Sequence, residues 1–182
     1  TEDGLFNSEN TADTLRKQNY ADSKETLRPA LETIQQGVQR VPTSDIHASL
    51  VRKIENMPAT DVNDAERKAL IKMADDAYGI NLNGPRNRII ESEASKAHRN
   101  GYNLTDLFDS RIEAGSRGKY KPGITPAPDI PKAKFARQEE KVFREMFDKN
   151  LPENTGIEEA RKQFEENFLL ADYLDALHGK GV

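Results

Sequence analysis

Three histidines, His47, His98 and His178, are the only imidazoles in a chain that has no cysteine. None belongs to a His-x-x-x-His or Glu-x-x-His pair, the spacing that puts two ligands on one helix face. His98 and His178 fall where helices should end, and there a cation is favoured by the helix dipole. A zinc site is therefore not expected, and zero cysteine removes thiolate ligands, disulfides and cysteine nucleophiles together. Neither phosphate loop nor dinucleotide-binding turn nor nucleophile elbow occurs, and no Ser, Thr or Lys has an activating neighbour in sequence. Paired acids such as Glu91 with Glu93 and Glu139 with Glu140 follow from composition in a chain with 31 acids. The residues point to no catalytic group, no metal and no cofactor.

Two groups of residues could bind. Asn81 to Arg88 reads Asn-Leu-Asn-Gly-Pro-Arg-Asn-Arg, and Arg86 with Arg88 near a helix start could hold a phosphate or carboxylate. Turn chemistry in the Asn-rich loop, with both arginines paired to acids such as Glu91, explains the same residues. The second group is a charge split. From Gly115 to Arg144 eight basic residues (Arg117, Lys119, Lys121, Lys132, Lys134, Arg137, Lys141 and Arg144) face three acids, so this stretch carries +5 within a chain of net charge −4. Tyr120 and Phe135 lie among the cations. The segment could meet an acidic protein surface or a nucleic acid, or cover acidic faces of its own chain.

The elements that must position these groups read as helices. Leu27, Leu31, Ile34, Val38 and Val41 recur at steps of three and four, with Pro29 inside the stripe and Pro42 closing it. A second stripe, Ile46, Leu50, Ile54 and Met57, follows Ser44 as its cap. Asn63 to Glu66 has capping-box spacing ahead of Leu70, Met73 and Tyr78. Gly84-Pro85 is read as opening a fourth helix that carries Ile89 and Ile90, and Asn103 as capping a fifth that carries Leu104, Leu107, Phe108 and Ile112. Residues 115–131, rich in Gly and Pro, are expected to be a strap. Two longer helices follow. One holds Phe135, Val142, Phe143 and Phe147. The other starts at a Thr155 capping box and holds Phe164, Phe168, Leu174 and Leu177. With a short turn between them, they should pair as an antiparallel hairpin.

The expected fold is all-α, with about seven helices. A polar lead-in (1–19) precedes an irregular bundle (20–114), a basic linker (115–131) and a helical hairpin (132–182), the last either separate from the bundle or one domain with it. Leu, Ile, Val and Phe make up only about 21% of the chain, near the level where chains stop folding alone, so thin packing or burial shared with a partner is expected. The acidic balance, with pI about 5.5, weighs against nucleic acid and anionic membranes. No apolar run is long enough to cross a bilayer. A chain starting at Thr1 without Met reads as processed or cut from a longer protein.

The function expected from these residues is a non-enzymatic protein-interaction or structural module. Its partner-binding residues would be Arg117, Lys119, Tyr120, Lys121, Lys132, Phe135, Phe143 and Phe147, met by a protein. A nucleic-acid-associated protein using 115–144 is the first alternative, and an enzyme with an anion site at Arg86 and Arg88 the second. The cytoplasm is the favoured compartment, and no membrane insertion is expected.

Overall fold

The computed structural model describes residues 2–83, 88–119, 123–153 and 155–179. It is all-α, with seven α-helices among those residues and one small exception, a two-stranded hairpin. The helices are α1 (Glu2–Ile34), α2 (Thr43–Glu55), α3 (Asp64–Tyr78), α4 (Glu93–Ala97), α5 (Leu104–Arg117), α6 (Ile130–Asn150) and α7 (Glu158–Gly179). The strands are β1 (Ile80–Asn83) and β2 (Arg88–Glu91), antiparallel, with Ile80 opposite Glu91 and Asn83 opposite Arg88.

The chain divides into two compact units. The first joins residues 1–36, 121–124 and 152–182; the second holds 37–120 and 125–151. In the first unit α1 packs on α7. Tyr20 of α1 stacks on Phe164 at 5.9 Å and tilts against Phe168 at 6.2 Å, while Lys24 covers the Tyr20 ring at 5.1 Å. The Asn167 amide donates to the Asn19 carbonyl at 3.3 Å.

In the second unit α6 is the hub, packed on α5, α2 and α3. Its Ala133, Phe135, Ala136, Val142, Phe143 and Phe147 are buried with Ile46, Leu50 and Ile54 of α2, Leu70 and Tyr78 of α3, and Leu104, Leu107 and Phe108 of α5. The stripe spacing of each helix therefore does become core. Arg67 of α3 donates to the Ile54, Glu55 and Met57 carbonyls at 2.6, 2.8 and 2.9 Å, satisfying orphan acceptors at the end of α2.

Several elements differ from the sequence reading. Residues 80–91 do not open a fourth helix. Ile80, Leu82, Ile89 and Ile90 sit in strands, so the fourth helix shrinks to Glu93–Ala97, capped by Ser92, which accepts from the Ser95 amide at 3.1 Å. The β-branched pair and the Asn-Gly dipeptide favour a hairpin, and these local preferences win over the proline signal. The polar lead-in is part of a helix: α1 is helical from Glu2, in a stretch with no proline before Pro29. The last two helices, expected as one hairpin, fall in different units. Residues 151–157 separate them, with Gly156 at φ 78°, and α7 takes α1 as its partner while α6 takes α5. The strap is partly helical, since α5 runs to Arg117 and a 3-10 turn at Ala127–Asp129 leads into α6.

The caps also differ in detail. Asn63 accepts from the Glu66 amide at 2.8 Å, and the Glu66 carboxylate also accepts from Lys134 at 2.9 Å. The full box is at Asn103 and Asp106. Pro42, not Ser44, precedes α2, and the Thr155 hydroxyl turns to the Pro152 carbonyl.

One long-range tie closes the second unit. Val41 and Tyr102 exchange both backbone hydrogen bonds, at 2.9 and 2.7 Å, as an isolated antiparallel bridge. Gly101 stands beside it at φ 85°, and a Cβ there would lie 2.9 Å from the Val41 oxygen. Only glycine fits without strain, because left-handed backbone costs an L-residue about 1–2 kcal/mol before any clash. Gly101→Ala should therefore lower stability by about 2 kcal/mol in denaturant titration followed by circular dichroism. An unchanged midpoint would show that the bridge is dispensable.

Candidate interaction surfaces

The basic segment is spent largely inside the second unit. Arg117 donates to Glu139 at 2.9 Å and lies 3.6 Å from Glu113. Lys134 reaches Glu66 and the Asp61 carbonyl, both at 2.9 Å. Arg137 donates to the Gly118 carbonyl at 2.9 Å, and Arg144 stands 4.0 Å from Glu140. Lys132 is 76% exposed, and its acidic neighbour is Asp129 at 4.0 Å, at the edge of ion pairing. Lys119 and Lys141 are exposed. Tyr120 and Lys121 lie outside the described residues.

The three phenylalanines of the expected partner surface are not on a surface. Phe135, Phe143 and Phe147 are buried. Phe143 meets Tyr78 at 6.1 Å and Tyr102 at 5.7 Å, and Phe147 meets Phe108 at 6.1 Å. They are core because α6 is covered on more than one side. The spacing of these residues marks an apolar face and cannot say what covers it. Arg86 lies outside the described residues. Arg88 begins β2 opposite Asn83, and its side chain lies outside the described set.

The ion pairs under this segment include buried charges. Arg111 is 1% exposed and its Nε donates to Glu140 at 3.1 Å. Glu139 is 3% exposed and accepts from Arg117 and from the Tyr78 hydroxyl. Burial, then the Glu139 carboxylate, drives the Tyr78 phenol far above its ordinary range. Burial of Arg117 works against its charge, but the bond to Glu139 outweighs it and the guanidinium is held more firmly protonated. Sequence spacing alone did not mark Arg111, Glu139 and Tyr78 as a set, since they come from α5, α6 and α3.

The exposed apolar side chains lie elsewhere. Ile124, Leu169 and Leu170 are 66%, 58% and 47% exposed, and all three belong to the first unit. Leu169 and Leu170 are neighbours on α7, following Phe164 and Phe168, which are buried. α7 therefore carries large apolar side chains on its open side as well as its packed one. Its rim over residues 158–170 is acidic: Glu158, Glu159, Glu165 and Glu166 outnumber Arg161 and Lys162.

Among the described residues no group of three or more acids and histidines could hold a metal ion, and no helix is long and apolar enough to cross a membrane. No protein-family model, no curated protein and no solved structure matches the chain.

Two measurements probe the buried charges. Arg111→Ala leaves the Glu140 carboxylate without its buried partner and should cost about 3 kcal/mol in guanidinium unfolding, the scale for breaking such pairs. Tyr102 is buried, and desolvation followed by the Asp106 and Glu139 carboxylates pushes its phenol up to about 12. A raised folded pKa stabilises fully below the unfolded value near 10 and loses that contribution as pH climbs toward 12. Absorbance titration at 295 nm should show a phenolate step near pH 12 that disappears in Tyr102→Phe. A Tyr102→Phe trace identical to that of the parent chain would show that burial does not hold this proton.

Proposed function

We propose that the chain is a non-enzymatic protein-interaction module, and that its partner supplies a basic amphipathic helix to the open side of α7. The observation that carries this reading is the Leu169–Leu170 pair, exposed on a helix whose other side is already packed by Phe164 and Phe168. A pair of packed helices has little depth in which to bury apolar groups on two sides, and a third helix supplies it. The acidic rim chooses the sign of the partner. Burying the exposed half of each leucine contributes about 1 kcal/mol, which suits a modest, reversible complex.

This assignment moves the partner surface from residues 117–147 to α7. The reason is physical: the phenylalanines of that segment are interior, and Arg117 and Lys134 are engaged by the chain's own acids. Only part of the basic charge there is left for an outside partner.

A library of helical peptides displayed on phage tests the reading. Binders should converge on basic sequences with apolar residues at i, i+3, i+4 and i+7. The Leu169→Asp, Leu170→Asp double variant should bind them at least tenfold more weakly with unchanged helical circular dichroism, and high salt should weaken the parent complex. Selection that returns no binder, or binders indifferent to the double variant, would falsify the placement.

A further inference from the structure

The second unit holds a cleft of about 580 Å³ whose lining includes Arg40, Ser44, His47, Ser95, His98 and Arg99. That volume falls within the range of small-molecule sites. The Val41–Tyr102 bridge joins the two segments that supply Arg40 and Gly101 to its lining, and a Cβ built on Gly101 would lie 3.0 Å from that of Arg40. The same tie brings Arg99 and His98 to the start of α2, where the Thr43 hydroxyl donates to the His98 carbonyl at 3.3 Å.

Cations outnumber acids in the lining of this cleft. Two guanidiniums line it against one carboxylate, Glu91, which accepts from Arg99 Nη2 at 3.1 Å. That bond uses one of the five N–H donors of Arg99 and steadies the head group. Arg40 has no acid or hydrogen-bond partner among the described residues. His47 is held through Nε2 by Asp75 at 2.7 Å, which leaves Nδ1 for another partner. His98 lies flat on Tyr102, ring centroids 3.9 Å apart, with Nδ1 3.9 Å from Asp106. The Ser44 hydroxyl adds a small donor.

We propose that this cleft binds a phosphate group, carried by a small phosphomonoester or free in solution. Arg40 and Arg99 are the oxyanion clamps. Guanidinium donors match phosphate oxygens in pairs, and two of them in one concavity exceed what turn chemistry requires. His47 is a positioning residue: the Asp75 bond fixes its ring, so that its free nitrogen faces a set direction. The remaining volume exceeds a bare phosphate and accommodates a sugar-sized body beside the Tyr78 wall. This site is independent of the α7 face, so either can fail without the other.

Isothermal titration calorimetry with inorganic phosphate and with ribose 5-phosphate, each against chloride at equal ionic strength, tests the proposal. Saturable binding of both with equal affinity assigns free phosphate, and tighter binding of ribose 5-phosphate assigns a phosphomonoester. Arg40→Ala and Arg99→Ala should each weaken binding at least tenfold, whereas Lys132→Ala, exposed on α6, should leave it unchanged. Both arginines are exposed, so the variants should keep the thermal midpoint of the parent chain. No saturable heat with either ligand, or binding that survives the double arginine variant, overturns the proposal.

Discussion

Charges buried under α6 set the terms for the rest of the second unit. Glu139 and Glu140 project from the middle of this helix, and no apolar neighbour could tolerate them ionised. α5 answers with Arg111 and Arg117, and α3 with the Tyr78 hydroxyl. Two of these bonds tie α6 to α5 and the third ties it to α3, so α6 can seat in one rotation and one register only. Such pairs contribute little net energy compared with an apolar core of the same volume, but a misplaced helix would strand a charge. In a chain this poor in Leu, Ile, Val and Phe, specificity of that kind complements a thin core.

The helical elements were legible because their apolar residues keep the spacing of a single face. Leu50 and Ile54 in α2, Leu70 and Tyr78 in α3, and Leu104 and Leu107 in α5 are all interior. The hairpin at 80–91 was not legible. Four-residue strands carry too few alternations to outweigh one proline, and Ile89-Ile90 suits either period. Partner choice among helices was beyond reach as well. The stripe of α6 states how much surface must be covered, and the covering helix is set by charges that lie far apart in sequence, such as Glu139 and Arg117. The same distance hid the cleft. Arg40 and Arg99 become neighbours only through Val41 and Tyr102, and nothing local to either arginine announces it.

The two proposals put two kinds of recognition on one polar chain. On α7 the signal is unburied apolar area with acids around it; in the cleft it is cationic donors around a cavity. The first suits a flat, extended partner, and the second a compact anion. Arg40 and the α7 leucines are left over once the internal ion pairs are complete, whereas much of the basic segment is already matched. Charge already matched by the chain's own acids has little left to offer anything outside.

The order of the two units along the chain has a consequence for synthesis. α1 leaves the ribosome before every residue of the second unit, and α7 leaves after them all. At translation speeds of about 5–20 residues per second, α1 waits several seconds with Tyr20 and its apolar neighbours unmatched, while the second unit can already close around α6. Chaperone capture, or premature pairing between nascent chains, would act on α1 in that interval.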